Sequence, residues 1–430
     1  SEYQASNGNI MSSARYASFG SVFRSSVGLL GADEATSSLV LNKDDAGSDD
    51  DIFMASGTVD DGAQLQNTRL LSASDGTGAA SSVMSWATEG DLKGVSAASC
   101  VAPALKQSLM VSGTKTGMTQ QLVVANPSAK ATSVNIKVWG SDKSGALALS
   151  TGSTLTVGAG KESVLNLAAA ASGQDALYVT VSSVDTPVAA VVRTIAMDGL
   201  VAKGSDYAVP NTVAAKTLAI DGLTEGDAVN LYVYPSRQAD VTVSWTDDQG
   251  LKKTNQQTLE SNRVSVIDLG SVPKSATGLT ISASEPVSVA AKITNDGQAD
   301  FALVNASVPM SVSAMAVPDH ATAQVGITNI SGDERTATLT SYNSVGDTVD
   351  QREIALQSGA STTVDLADIN DGDVAAVSFA DPDQSMVWNI RISQKDVSDA
   401  KLAGVSIIGA TDLKEAREQV LANQNMTVVR

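Results

Sequence analysis

One histidine, one cysteine and an abundance of carboxylates are the side chains of this chain that could do chemistry. A single histidine, His320, removes most zinc sites and leaves any Ser-His-Asp arrangement dependent on that one residue. His320 follows Pro318-Asp319 in a turn-like stretch, and no Gly-x-Ser-x-Gly elbow occurs. It is therefore expected to be a solvent-exposed loop residue. Cys100 has no second histidine to activate it and no partner cysteine, so it is expected to be a small buried residue at a domain boundary rather than a nucleophile.

Paired carboxylates are too common to single out a catalytic pair. A glycosidase would need two acids across a sugar cleft lined with aromatic platforms, and the chain has only 4 Trp, 7 Tyr and 5 Phe. Calcium is better posed, because hard cations take clustered carboxylate and loop carbonyl oxygens. Three acidic clusters have that composition: Asp44-Asp45 with Asp49-Asp50-Asp51, Asp368 with Asp371 and Asp373, and Asp381 with Asp383. None has EF-hand register. Asp49, Asp50, Asp51, Asp371 and Asp373 are the candidate calcium ligands. No glycine-rich phosphate loop leads from a strand into a helix. No catalytic or cofactor-binding residue is nominated, and a non-enzymatic protein is expected.

The formal charge of -19, from 47 acidic and 28 basic residues, argues against nucleic acid or an anionic membrane face as partner. No apolar run reaches the roughly 18 to 20 residues of a membrane helix, so direct membrane insertion of this segment is not expected. The chain begins at Ser1, which fits an exported protein whose N-terminal signal or anchor has been removed.

The elements that would position any site emerge from a repeat. At 430 residues several cores are needed, and with 43% hydrophobic but only 4% aromatic residues they must be built from Val, Ala, Leu and Ile. The first copy contains Gln121 to Ser128, Val134 to Trp139, Val164 to Leu167 and Thr186 to Arg193. The second contains Val229 to Ser236, Val241 to Trp245, Val264 to Leu269 and Glu285 to Lys292. The third contains Ala323 to Asn329, Thr336 to Tyr342, Val364 to Leu366 and Met386 to Arg391. These segments alternate apolar and polar residues, or form short apolar runs, between Gly, Pro, Asp and Ser. About seven strands per roughly 100 residues predicts tandem immunoglobulin-like β-sandwiches in an all-β chain. Trp139, Trp245 and Tyr342 share one repeat position, which reads as a core or sheet-face anchor in preference to a carbohydrate platform.

The predicted organisation is a β-rich domain over 1–100, sandwiches over 101–210 and 211–310, and a third sandwich over 311–430 that includes a short C-terminal helix. The strand-like segments before residue 100 predict a fourth β domain that shares strands with its neighbour. The helix is read at Asp412 to Leu421, with Leu413, Ala416, Val420 and Leu421 on one face, and a last strand at Met426 to Val429.

The stretch Gly90-Asp91-Leu92-Lys93-Gly94 leading to Cys100-Val101-Ala102-Pro103, and then Leu122-Val123-Val124-Ala125-Asn126-Pro127, resembles a family of secreted actinobacterial proteins, domain-of-unknown-function family 5719. That family has a Gly-Asp-Leu-x-Gly segment, a Cys-x-x-Pro element and a Leu-x-Leu-x-Asn-Pro strand and turn. This chain lacks the Trp often found after that cysteine, and has no second cysteine. The resemblance implies export, an envelope location and immunoglobulin-like modules, but no activity. Genes of such proteins lie near envelope glycosyltransferases, which implies an accessory role in glycan assembly. The expected function is thus a secreted or envelope scaffold or accessory subunit, shaped as a semi-rigid rod. Its partner would be an envelope protein such as a membrane glycosyltransferase, or a surface glycan. A carbohydrate- or calcium-dependent binding module is the alternative.

Overall fold

The computed structural model describes residues 10–414, apart from 33–38, 44–48, 60–62, 212 and 296–298. Its regular structure is almost all β-strand; among the described residues the two α-helices, α1 (Leu167–Ala170) and α2 (Lys395–Asp399), are single turns.

Alternation builds the sandwiches. In Thr132–Trp139, Val134, Ile136 and Val138 are buried while Ser133, Asn135 and Lys137 face out, as a strand with one wet face requires. The first sandwich comprises β9 (Lys106–Ser112), β10 (Met118–Asn126), β11 (Thr132–Trp139), β12 (Thr154–Val157), β13 (Lys161–Asn166), β14 (Ala176–Ser182), β15 (Ala189–Asp198) and β16 (Val201–Ala208). Its sheets run β12-β11-β14-β9 and β13-β10-β15-β16. Their inner faces share a core of Leu109, Leu122, Val134, Ile136, Leu177, Val179, Val192 and neighbours. Each fully buried aliphatic side chain of this kind contributes about 1.5–3 kcal/mol.

The third sandwich repeats that order. It comprises β24 (Val312–Ala316), β25 (Ala321–Asn329), β26 (Arg335–Tyr342), β27 (Thr348–Leu356), β28 (Ser361–Asp365), β29 (Ala376–Ala380), β30 (Met386–Gln394), β31 (Ser406–Gly409) and β32 (Thr411–Asp412). The sheets are β27-β26-β29-β24-β32 and β28-β25-β30-β31.

The second sandwich comprises β17 (Ala215–Asp221), β18 (Asp227–Pro235), β19 (Ala239–Asp247), β20 (Gly250–Leu259), β21 (Ser265–Ser271), β22 (Gly278–Asn295) and β23 (Phe301–Asn305). Here the two strands that correspond to β14 and β15 are fused into the 18-residue β22. Its first part pairs with β17 and β19, and its second with β18 and β23.

The chain begins with β1 (Met11–Phe19), β2 (Val22–Leu29), β3 (Leu39–Leu41), β4 (Phe53–Gly57), β5 (Gln64–Leu70), β6 (Gly78–Ala79), β7 (Ser82–Ala87) and β8 (Gly94–Ser99). They form one sheet, β4-β1-β7-β8 with β6 on β1, and a small sheet β3-β2-β5. This N-terminal unit packs on the last sandwich. Met84, Trp86, Val95 and Ala97 join the third sandwich's core. Phe19, Ile52 and Met54 pack with Ala314, Tyr342 and Leu413.

Two expectations are corrected. A linear rod would place the first and last units at opposite ends, whereas β1, β7 and β8 pack on the third sandwich, and β8, β16, β23 and β31 lie side by side at the centre. The C-terminal helix does not start at Asp412: Thr411 and Asp412 pair with β24, and Leu413 is buried. An apolar side chain on a paired strand reaches the core directly. The remainder of that helix, from residue 415, and the strand at 426–429 lie outside the described residues.

Candidate functional site: a central junction and two concavities

Four sheet-edge strands converge on two buried carboxylates. Asp206 of β16 accepts hydrogen bonds from the Leu303 N–H of β23 (2.8 Å), the Ala97 N–H of β8 (3.3 Å) and the Ser406 hydroxyl of β31 (3.2 Å). Asp300, just before β23, accepts from the N–H groups of Val95 (3.0 Å), Phe301 (2.9 Å) and Val405 (3.3 Å). Ser96 and Ser205 share a hydrogen bond of 2.9 Å alongside. Close approach requires glycine. Gly94 and Gly204 have φ of +117° and +107°, and a Cβ on either would lie 2.6 or 2.5 Å from an Asp300 carboxylate oxygen.

Burial dominates the electrostatics of these acids. It pushes Asp206 up to about 8 against the opposing pull of its backbone and Ser406 hydrogen bonds. It also holds Asp300 well above the ordinary carboxylate range, reinforced by the nearby Asp206 charge. A third acid, Asp221, is pushed up to about 8 at the seam of the second and third sandwiches. There it accepts from Thr328, and its backbone N–H donates to Asn389 (2.8 Å).

An apolar cavity of about 230 Å³ opens beside the junction, lined by Cys100, Met110, Tyr232, Leu303, Ile407 and other residues of all four units. Cys100 is exposed into it, which corrects the expectation of a buried residue: the units converge on β8 but do not close over its end. The apolar walls of the cavity leave the thiol poorly solvated, which raises its pKa.

A second, polar cleft of about 580 Å³ lies between the N-terminal unit and the third sandwich. Arg15 of β1 lines it with a side chain only 8% exposed. One Nη lies 3.2 Å from Asp319, and Nε has no hydrogen-bond partner among the described residues. Burial lowers the Arg15 pKa, opposed by the charges of Asp319 and Asp373. Asp373 accepts from the backbone N–H and the hydroxyl of Ser344. His320 stands at the rim with φ +64°, its ring centred 6.0 Å from that of Trp86 and its Nε2 3.8 Å from Asp319.

His320 is exposed, as its turn-like surroundings imply. The candidate calcium ligands are not gathered: no group of three potential ligands forms a metal site among the described residues. Asp49 and Asp50 are exposed, while Asp51 is buried and accepts from the Thr348 N–H (3.1 Å). Asp371 and Asp373 are exposed, with Asp373 turned to Ser344. Asp381 caps a turn by accepting from Ser385 and Met386, and Asp44 and Asp45 lie outside the described residues. Trp139, Trp245 and Tyr342 each sit toward the end of corresponding strands, β11, β19 and β26. Trp139 packs beside the stacked Tyr178–Tyr234 pair (3.9 Å) between sandwiches one and two, and Tyr342 meets Phe19 edge-on at 5.7 Å. Sequence reasoning missed Arg15, Asp206 and Asp300. The available signal was a charged residue within strand-like sequence, as in Gly204-Ser205-Asp206-Tyr207.

Comparison with known proteins gives a family but no activity. No curated protein matches the chain. Among solved structures, dimeric latent PorU from Porphyromonas gingivalis is 8% identical, with a TM-score of 0.16, covering 71% of this chain and 34% of its own. The Streptomyces avermitilis α-L-rhamnosidase complexed with L-rhamnose is 10% identical, with a TM-score of 0.14, covering 89% of this chain and 54% of its own. The chain thus spans about a third and about half of those two proteins, and at such scores neither bears on its fold or function. A family model described as a family of unknown function, DUF5719, matches residues 54–367. That span runs from β4 through all of the first two sandwiches and on through β28 of the third, and the chain belongs to that family.

Proposed function

We propose that the chain is a non-enzymatic scaffold or accessory subunit of an actinobacterial cell envelope, exported and built from immunoglobulin-like modules, that presents a fixed multi-unit surface to the machinery of glycan assembly. The observation that carries this reading is the use made of the buried carboxylates. Asp206 and Asp300 spend their oxygens on N–H and O–H donors from β8, β23 and β31, joining four units instead of facing a substrate. The paired antiparallel sheets of the first and third sandwiches support the immunoglobulin-like description. The motif at residues 90–127 supports export and the envelope.

Affinity capture of the cross-linked native protein from its own envelope tests the proposal. Reproducible recovery of an integral-membrane glycosyltransferase supports the accessory role. Recovery of wall glycan without any envelope protein removes that role, and turnover of a glycan by the purified chain alone overturns the non-enzymatic reading.

A further inference from the structure

We infer that the apolar cavity beside the four-unit junction binds the end of a neutral aliphatic chain, acyl or prenyl, whose polar head stays in water at the mouth. The inference starts from what the lining omits. Although 17% of the chain is charged, no charged side chain lines the cavity among the described residues. Its deeper lining, with Met110, Ala290 and Ile408, is at most 5% exposed, while Cys100 and Ala102 at the mouth are open to water. An anion or an ammonium would find no counter-charge there, and a desolvated ion without one is strongly disfavoured.

The polar side chains of the wall are engaged with its own backbone. Gln107 donates to the Ala102 carbonyl (2.9 Å) and accepts from the Ala190 N–H (2.8 Å). Ser99 donates to the Gly409 carbonyl (2.7 Å), and the Asn305 amide donates to the carbonyls of Val209 and Pro210 (3.0 and 3.2 Å). These bonds brace the segments around the mouth. They also occupy donors that a sugar or a nucleotide would need, so hydrocarbon is the surface left to a ligand.

Packing and size narrow the occupant further. Protein interiors leave few voids larger than a water molecule, and a few larger side chains would close this one: seven of its lining residues are alanine and one is glycine. The sandwiches fill their own cores separately, so the space belongs to the assembled junction alone. At about 230 Å³ it exceeds the roughly 150 Å³ of a cavity that admits benzene, and falls below the roughly 300 Å³ at which sites for whole drug-sized ligands begin. A chain end fits and a complete lipid does not.

Calorimetry on the whole chain tests this with the straight-chain alcohols from hexanol to dodecanol and the prenyl alcohols geraniol and farnesol. Affinity is expected to rise about fourfold with each added methylene and to level off once the cavity is full. Cys100→Trp at the open mouth should lower decanol affinity by about fifteenfold or more, the equivalent of two buried methylenes, whereas Cys100→Ser should retain it. Cys100 is exposed, so unfolding midpoints should stay at the wild-type value. Tighter binding of farnesol than of dodecanol assigns a prenyl chain, and the reverse an acyl chain. The inference is overturned by absence of decanol binding at its solubility limit or by affinity that climbs through dodecanol without levelling, as adsorption to exposed apolar surface would. Decanol affinity unchanged in a folded Cys100→Trp chain overturns it equally. The length series needs no substitution, so a variant that fails to fold does not remove the test. The capture experiment is independent of it: a scaffold that binds no aliphatic chain still recovers its protein partner.

Discussion

Asn126 and Asn329 do the same job in two sandwiches. Each is fully buried at the end of a strand. The Asn126 amide donates to the carbonyls of Lys130, Val157 and Gly158 and its oxygen accepts from the Ser128 N–H. Asn329 repeats this with Asp333, Leu356, Gln357 and Ser331. One side chain thus ties two successive turns, and its turn role was legible in the sequence from Asn126-Pro127-Ser128. Alanine at either position should lower the unfolding free energy by about 2 kcal/mol, since several buried polar groups lose partners at once; urea titration measures it. Arg391 was not legible in this way, because its partner is 164 residues distant: it grips Asp227, which is 0% exposed, with two bonds of 2.7 and 3.0 Å. Arg391→Met strands that carboxylate and should cost about 3–5 kcal/mol. Adding Asp227→Asn should recover most of the loss, and no recovery would mean that the guanidinium acts by packing alone.

Strand patterning announced some elements and hid others. β10, β11, β13 and β15, with their counterparts in the other sandwiches, carry the Val, Ile and Leu alternation that the repeat exposes. β8 and β16 read Gly-Val-Ser-Ala-Ala-Ser and Val-Ala-Lys-Gly-Ser-Asp-Tyr-Ala. At the points where whole units approach them closely they carry Gly94, Ser96, Gly204, Ser205 and Asp206, so the usual run of large apolar residues is missing. Each is the edge of its sheet, and packing the four edges together covers ladders that would otherwise recruit other chains. The motif at residues 90–103 that carries the family resemblance includes this same central strand. Gly94→Ala combines an unfavourable φ with a clash at Asp300. Hydrogen exchange at residues 94–99 and 203–208 should therefore rise together while residues 132–139 stay protected; exchange confined to residue 94 would show that β8 docks independently of the junction.

The assembled molecule should prefer acid. Asp206 and Asp221, pushed by burial from 3.8 to about 8, keep protons in the folded chain that the unfolded chain releases above its ordinary carboxylate pKa. Folding therefore takes up protons. The associated stability is complete below about pH 4 and is lost as pH rises through 8. The urea midpoint should be higher at pH 5 than at pH 8.5, and Asp206→Asn should flatten that slope; a midpoint that climbs with pH would contradict it. Small-angle scattering should give a radius of gyration near the roughly 22 Å of a compact chain of this length, where four units end to end would lie well above it. The number of sandwiches could be read from a repeat, but their closure could not, because it rests on contacts such as Ser99 with Gly409 and Gly76 with Leu413 that leave no periodic trace. That closure also sets an order of events at birth. The N-terminal unit leaves the ribosome more than about 200 residues before its partners Ala314, Tyr342, Ser406 and Leu413. The N-terminal unit must wait, incompletely packed, until synthesis has passed residue 413, so a nascent chain stalled near residue 300 would expose the apolar face of β1 and β7 to chaperones and proteases.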